Sequence, residues 1–305
     1  AHAHIKAEGE KQAKPHIVSI KNNRGKLEQL HLAPVSFRSP AFHVDNTGRA
    51  ILASNFGGAI GVWKIDEKRR CTGESTYDEQ TVHYAHSIMT DPTNRFAYSP
   101  HTKANVIYHY AFDSEARSLT PLNPATTPGP DKDHHYHEPR HYAHHPTLAM
   151  GFTANERGGG ISSWKQDPQT GKLTLQETLS TLHPDWEGKS SFAGADIHIT
   201  PDGRFVYVSN RDGRRDLEEG QPHGDSLAGF AIDPQTGKLK LVGLFLTERF
   251  PRSFCVDPSG HFLFAANELS HTLTSFRIHQ ETGALKRIGN IKTGKTPIWV
   301  LCWSK

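Results

Sequence analysis

The chain has 305 residues, and 35% of them are hydrophobic, which is too many for a disordered chain. Its formal net charge is +3 without a long block of Lys or Arg, which argues against nucleic acid or an acidic membrane as partners. No apolar run approaches the roughly 18 residues that cross a bilayer. Three cysteines without a Cys-x-x-Cys spacing argue against a disulfide framework and a thiolate metal site. Cys255 and Cys302 lie in apolar strand patterns, which favours their burial.

The pattern of the first residues predicts that the chain begins partway through a repeat of four strands, whose complete copies follow later in the sequence. His16–Ile20 has the pattern of a third strand, and Lys26-Leu27 begins an outer strand. Because the sequence starts with Ala-His rather than Met, we expect a processed or truncated N-terminus, and a removed signal peptide stays open as one explanation.

A repeat of about 50 residues then occurs five times, which is the period of a propeller blade. In each copy an apolar strand leads into a turn rich in Asp, Pro, Asn and Gly, and a second apolar strand follows. The five copies are Ser39–Asn55, His86–Pro100, Arg140–Glu156, Ala195–Arg211 and Arg252–Glu268.

Each repeat continues with a third strand, and a turn leads from it to an outer strand. That turn is nearly identical in Asp167–Leu173 and Asp233–Leu239. Four strands per repeat are typical of a propeller blade. No segment shows a sustained 3.6-residue apolar period, so the sequence predicts very little helix.

The chain ends with Thr296–Trp303, which has the pattern of an isolated first strand. Pairing of this strand with the first strands of the chain would close a ring and remove exposed sheet edges. We therefore predict an all-β propeller of four-stranded blades, built as a single domain over residues 1–305. It would have about five complete blades and one shared between the termini.

Several motifs, in this order along nearly the whole chain, carry a family resemblance. They are Ser54–Gly58, His86-Ser87, Pro139–His141, Asn155-Glu156, Ala195–Arg204, Ser209–Arg211 and Pro251-Arg252. The set resembles the lactonase family of propellers, which holds bacterial 6-phosphogluconolactonases and fungal carboxy-cis,cis-muconate cyclases. Members usually have seven blades and a longer N-terminus. Either this chain is N-terminally truncated relative to the family or its ring has six blades.

The resemblance implies a catalytic set of His86, Arg140, Glu156 and Arg211 at the matching motif positions. The chemistry of these residues is suited to an anionic lactone. Arginine binds phosphate or carboxylate with bidentate geometry and stabilises a developing oxyanion. Either Glu156 or His86 would activate water as a general base. The alternative is that Arg140 and Glu156 form a structural ion pair between two strands.

Four further residues are candidates for substrate binding. His141 adjoins Arg140 and is predicted to line the central mouth. Asp196 either points into the central channel or is a buried structural acid, and His198 alternates with it on one strand. Asn55 is the fourth candidate, although a strand-end asparagine also suits a turn.

Two other segments leave alternatives open. The tract from Asp131 to His137, continued by His141, His144 and His145, has a composition that binds metals adventitiously, but we expect an exposed loop and no intrinsic metal site. The charged, Gly-rich insertion between Arg211 and Leu227 is either a lid or specificity loop, or a solvated surface loop.

Together these observations predict a lactone hydrolase that needs no cofactor and opens a sugar lactone similar to 6-phosphogluconolactone. Lactonising cycloisomerisation of a carboxymuconate, a non-catalytic binding scaffold and a calcium-dependent lactonase remain alternatives. The expected partner is a small lactone or carboxylate, with no nucleic acid and no membrane. We expect a monomer or weak homo-oligomer in the cytoplasm, with the periplasm as the alternative.

Overall fold

The structure is a computed structural model, and it describes residues 2–4, 15–23, 26–133, 136–186, 191–214, 216–217 and 221–303. Backbone packing divides the chain into two compact units, Ala1–Thr127 and Pro128–Lys305. Within the described ranges the secondary structure is β-strand, apart from one short 3-10 helix at Pro184–Trp186. The prediction of very little helix is confirmed for this part of the chain.

The first unit contains a three-stranded sheet and two four-stranded sheets, each ordered along the chain. The three-stranded sheet is β1 (His2–His4), β2 (His16–Asn23) and β3 (Lys26–Pro34). The second sheet is β4 (Ala41–Val44), β5 (Ala50–Ser54), β6 (Ala59–Ile65) and β7 (Cys71–Gln80). The third is β8 (Met89–Thr90), β9 (Phe96–His101), β10 (Val106–Asp113) and β11 (Ser118–Pro128).

The second unit contains three more four-stranded repeats. The first is β12 (His137–His144), β13 (Met150–Arg157), β14 (Gly160–Gln166) and β15 (Leu173–Ser180). The next is β16 (Phe192–Ile199), β17 (Phe205–Asp212), β18 (Ser226–Ile232) and β19 (Leu239–Leu246). The last is β20 (Pro251–Val256), β21 (Phe262–Asn267), β22 (Thr272–Ile278) and β23 (Leu285–Lys292). A bridge between Arg157 on β13 and Ala193 on β16 joins the first two repeats.

Both faces of inner strand β17 are buried, because its sheet packs against a neighbouring repeat of the second unit on each side. In β17, Val206 and Val208 belong to one apolar cluster, whereas Phe205 and Tyr207 belong to another. Successive side chains of a strand point to opposite faces, so an uninterrupted apolar run fills two cores at once. This packing explains why the first part of the second strand of each repeat is mainly apolar.

The predicted turns are confirmed, and buried or capping aspartates hold them. Asp45 accepts hydrogen bonds from the backbone of Arg49 and Ala50 at the β4–β5 turn. Asp167 caps the backbone nitrogens of Gln169 and Thr170 in the same way at the β14–β15 turn. These carboxylates replace backbone partners that a tight turn cannot supply.

The predicted C-terminal strand at Thr296–Trp303 is wrong. Residues 293–303 have no strand assignment. The backbone nitrogen of Val300 reaches only the Ser253 hydroxyl oxygen, at 3.5 Å, so this segment joins no ladder within its own unit. An apolar pattern is not enough for a strand, which also needs a partner for its backbone groups. Ring closure, the number of blades and the single domain stay predictions.

Candidate active site

A β-bulge places Arg140 in the interior of the second unit. Pro139 pairs with Asn155 of β13, and the register then shifts so that His141 pairs with the next residue, Ala154. Arg140 is therefore the extra residue of the bulge, and bulges commonly redirect a side chain beside a functional site. The residue before the proline, Glu138, has a left-handed φ of 67°.

Arg140, Glu156 and Arg211 form a cluster, named here the Arg–Glu–Arg cluster. Arg211 Nη2 lies 3.2 Å from Glu156 Oε1, and Arg140 Nε lies 3.9 Å from the same oxygen. Arg140 also donates to the Ala195 carbonyl oxygen at 2.5 Å, and Arg211 donates to that of Gly194 at 2.9 Å. The two guanidinium groups are thus fixed by the backbone of β16.

Burial differs sharply within the Arg–Glu–Arg cluster. The Arg140 and Arg211 side chains are 2% and 7% exposed, whereas Glu156 is 33% exposed. Burial, reinforced by the charge of Arg211, holds the pKa of Arg140 well below its usual range. The cluster therefore presents one accessible carboxylate in front of two desolvated cations, a strong field for an anion or a developing oxyanion.

Beside this cluster, Asp196 on β16 accepts hydrogen bonds from several groups. His141 Nδ1 lies 2.8 Å from Asp196 Oδ1, and His198 Nε2 lies 3.4 Å from Oδ2. The backbone nitrogens of Ile197 and Phe254 also donate to the carboxylate. Burial raises the pKa of Asp196, but the electrostatic effect of His198 and these hydrogen bonds outweigh it, so the pKa lies well below the usual range.

His141 is held as a neutral ring. Burial lowers its pKa to about 4, and the charge of Arg140 acts in the same direction against the opposing effect of Asp196. The ionised carboxylate of Asp196 fixes the tautomer with a proton on Nδ1, which leaves Nε2 as the acceptor of the ring. The Trp299 ring lies 6.3 Å from the His141 ring.

The structure brings six of the eight predicted site residues together: Arg140, His141, Glu156, Asp196, His198 and Arg211. The other two, His86 and Asn55, belong to the first compact unit. His86 is buried before β8, with the Phe56 ring edge-on at 4.9 Å. Asn55 holds the β5–β6 turn, because its side chain bonds to the backbone of Gly57 and Arg38.

Sequence reasoning assigned no role to one further charged pair. Arg252 on β20 and Glu268 after β21 lie 3.8 Å apart, and Arg252 also influences the buried Arg140 and Arg211 electrostatically. The signal was present in the repeats, because Pro-Arg and Asn-Glu occur at the same positions as in the Arg140–Glu156 repeat.

Buried aspartates anchor both ends of the insertion after β17. The backbone nitrogen of Asp212 donates to Asp225 Oδ1 at 2.8 Å, and Arg249 Nε lies 3.1 Å from Asp225 Oδ2. Arg214 pairs with Asp212 at 2.5 Å. Arg215 and residues 218–220 lie outside the described residues. The anchored ends leave both predicted roles of this loop, as a lid or as a solvated surface loop, open.

The cysteines and the His-rich tract were also candidates for chemistry. Cys255 is buried as predicted, and Cys71 is buried as well. Cys302, which was also predicted to be buried, is half-buried, with its Sγ 3.1 Å from that of Cys255. In the tract, His134 and His135 lie outside the described residues. His145 is structural, because its ring bonds to the Gly203 carbonyl oxygen and to two backbone nitrogens of the following turn. Over the described ranges, no three His, Cys, Asp or Glu side chains form a metal-binding group.

Four-stranded antiparallel repeats with charged residues at the ends of corresponding strands define a β-propeller with an enzyme-like polar cluster. The chain belongs to the family described as Lactonase, 7-bladed beta-propeller, whose model matches residues 3–302. Family membership confirms the predicted resemblance, the all-β propeller fold class and the lactonase class of enzyme.

The names of similar proteins are consistent with membership of this family. A 6-phosphogluconolactonase of Yersinia pestis (strain Pestoides F) is 30% identical over 282 residues, covering 90% of this chain and 77% of that protein. That of Pectobacterium carotovorum subsp. carotovorum (strain PC1) is 29% identical over 282 residues, covering 92% and 79%. The periplasmic gluconolactonase of Pseudomonas aeruginosa has a TM-score of 0.79 at 21% identity, covering 95% of this chain and 81% of that chain, which shows a shared fold.

Across the described residues, no helix is long and apolar enough to span a membrane.

Proposed function

We propose that the chain opens the ring of a sugar lactone similar to 6-phosphogluconolactone by hydrolysis. The observation that carries the proposal is the Arg–Glu–Arg cluster, in which one accessible carboxylate lies within 4 Å of two buried guanidinium groups. The relatives named 6-phosphogluconolactonase, at 29% and 30% identity, support this substrate class. The compartment and oligomeric state stay as predicted from the sequence.

In this mechanism Glu156 acts as the general base. It accepts a proton from water while the water oxygen bonds to the lactone carbonyl carbon. The carbonyl oxygen becomes an oxyanion, which Arg140 and Arg211 stabilise. The bond between the carbonyl carbon and the ring oxygen then breaks, and the ring oxygen takes the proton back from Glu156. The product is the open hydroxy acid, and Glu156 is again a carboxylate.

The test is hydrolysis of 6-phosphogluconolactone and of unphosphorylated gluconolactone by the wild type, Glu156→Gln and Arg140→Ala. Faster turnover of the phosphorylated lactone, lost in both variants, is the expected result. Glu281→Gln is the matched control, because Glu281 is exposed on a turn of the last repeat. Wild-type rates equal to the spontaneous reaction would refute hydrolysis of a sugar lactone and direct the assay to muconates.

A further inference from the structure

The bulge that carries Arg140 in β12 is repeated in β20. Pro251 pairs with Asn267, and the register then shifts so that Arg252 is the extra residue. The residue before this proline, Phe250, has a left-handed φ of 66°, almost the value of Glu138, which precedes Pro139 in β12. A strained residue and a bulge at the same place in two repeats indicate that the second arginine is also deliberately directed.

Each bulged arginine faces a glutamate at a similar distance. Arg140 Nε lies 3.9 Å from Glu156 Oε1, and Arg252 Nη1 lies 3.8 Å from Glu268 Oε2. In the repeat between them, Arg211 occupies the position that corresponds to the two glutamates, directly after the strand asparagine. The three repeats of the second unit thus place alternating charges at corresponding strand ends.

The second pair lies within electrostatic range of the Arg–Glu–Arg cluster. Burial lowers the pKa of Arg211, Glu156 opposes this effect, Arg252 lowers it further and Glu268 raises it. β20 also packs directly on β16. The backbone nitrogen of Phe254 on β20 donates to the carboxylate of Asp196 on β16 at 3.2 Å. The pair therefore belongs to the same polar region.

The side chains of this second pair make fewer hydrogen bonds than those of the Arg–Glu–Arg cluster. The Arg252 side chain is 30% exposed, and within the described part of the chain its one charged partner within 4 Å is Glu268, at 3.8 Å. Over the same residues, Glu268 Oε2 is buried and accepts no hydrogen bond, and the buried Nε of Arg211 donates none. Unsatisfied buried polar atoms are costly, and a bound polar ligand removes that cost.

We propose that Arg252 and Glu268 bind hydroxyl groups of the lactone ring, an inference that rests on the proposed lactone hydrolysis. A hydroxyl oxygen accepts a hydrogen bond from the guanidinium, and its proton is donated to the carboxylate. Two adjacent hydroxyls satisfy both side chains at once. A phosphate has no proton to offer at its dianionic stage, and the Glu268 carboxylate would repel it.

The test compares two lactams, which have the shape of a δ-lactone but do not hydrolyse under the assay conditions. D-Glucono-1,5-lactam has ring hydroxyls, and 2-piperidone has none. Their affinities are measured by calorimetry for the wild type, Arg252→Gln and Glu268→Gln. Arg287→Gln is the matched control, because Arg287 lies on β23, the exposed outer strand of the same sheet, where it forms an ion pair with Glu248. Circular dichroism verifies that each variant is folded.

We expect Arg252→Gln to weaken gluconolactam binding by about tenfold or more, since a site built for hydroxyls loses a charged donor. Glu268→Gln, which keeps the shape, should weaken it by about threefold to tenfold, while Arg287→Gln leaves it unchanged. Binding of 2-piperidone should be equally weak throughout. Unchanged gluconolactam affinity in folded Arg252→Gln and Glu268→Gln would overturn the inference.

The two proposals fail separately. A wild type that hydrolyses gluconolactone but whose gluconolactam affinity does not depend on Arg252 or Glu268 retains the proposed function and loses this inference. A wild type that hydrolyses no lactone but binds gluconolactam through Arg252 and Glu268 loses the proposed function and retains the hydroxyl site.

Discussion

His141 and Asp196 form a buried hydrogen bond of 2.8 Å between Nδ1 and Oδ1. The two residues come from different repeats, β12 and β16, so this bond links the bulge that carries Arg140 to the strand whose carbonyl oxygens hold both buried arginines. The neutral His141 ring and the ionised carboxylate therefore stabilise the framework of the Arg–Glu–Arg cluster.

The stability of the protein should fall as the pH decreases from about 6.5 to 4. Unfolded His141 takes up a proton near pH 6.5, whereas in the folded state burial lowers its pKa to about 4. Between these two pH values the unfolded state binds more protons than the folded state. The contribution of neutral His141 to the stability of the folded state is therefore complete above about pH 6.5 and is lost as the pH falls towards 4. The contribution of His141 is roughly 3 kcal/mol across the window.

Urea denaturation at several pH values across that window measures this effect. His43 and His101 also have a pKa lowered to about 4 by burial, so part of the slope persists without His141. His141→Gln should reduce the slope by about 1.4 kcal/mol per pH unit. His183→Gln, at a 59% exposed side chain, is the control and should leave it unchanged. Equal slopes for the wild type and His141→Gln would contradict this prediction.

Asp196→Asn should destabilise the protein by about 2 to 4 kcal/mol. The carboxylate accepts from His141, His198 and two backbone nitrogens, whereas an amide has one oxygen and would direct its NH₂ group at donors. The free energy of unfolding in urea at neutral pH measures the loss. Asp185→Asn, at an 81% exposed side chain, should cost almost nothing. Similar losses for both variants would argue against the Asp196 network.

Glu156 and Arg211 should act as one group in catalysis. Because Arg211 Nη2 lies 3.2 Å from Glu156 Oε1, removing either side chain also disables the other. A double-mutant cycle of Glu156→Gln and Arg211→Met, measured as kcat/KM for gluconolactone, should give a coupling of about 0.5 to 3 kcal/mol. The exposed pair Arg204 and Asp202, at 2.7 Å, is the control cycle and should show no coupling. Strictly additive effects in the Glu156–Arg211 cycle would show that the two residues act independently and would contradict this prediction.

Gly194→Ala should lower both stability and lactone hydrolysis. A Cβ atom at this position would lie 2.3 Å from the Asn155 carbonyl oxygen, so β16 must move away from β13. That movement displaces the Gly194 carbonyl oxygen, which accepts from Arg211. We expect a loss of about 1 to 3 kcal/mol in urea denaturation, with a parallel fall in kcat.

Gly289→Ala is the matched control for Gly194→Ala, because nothing lies within 4 Å of its Cβ position. This strand glycine should tolerate the substitution, with a stability change within about 0.5 kcal/mol and unchanged turnover. A Gly194→Ala protein as stable and active as Gly289→Ala would show that the contact between β13 and β16 can adjust freely.

Much of the fold follows from local pattern. The turn residues of Asp167–Leu173 and Asp233–Leu239 predicted two turns that the structure contains, since capping aspartates and left-handed glycines act within a few residues of one another. The segment Thr296–Trp303 had an equally good apolar pattern and forms no strand. A strand depends on a hydrogen-bonding partner that lies elsewhere in the chain.

The sequence by itself determined the repeat, the strands and the identity of the charged residues, because periodicity and turn chemistry are local properties. Only the tertiary structure decided how those charges are used. It buried Arg140 on a bulge while leaving Glu156 partly exposed, it paired His141 with Asp196, and it gave Arg252 a partner in Glu268. Burial and pairing arise between repeats distant in the chain, where packing sets which charge is desolvated and which remains in reach of a substrate.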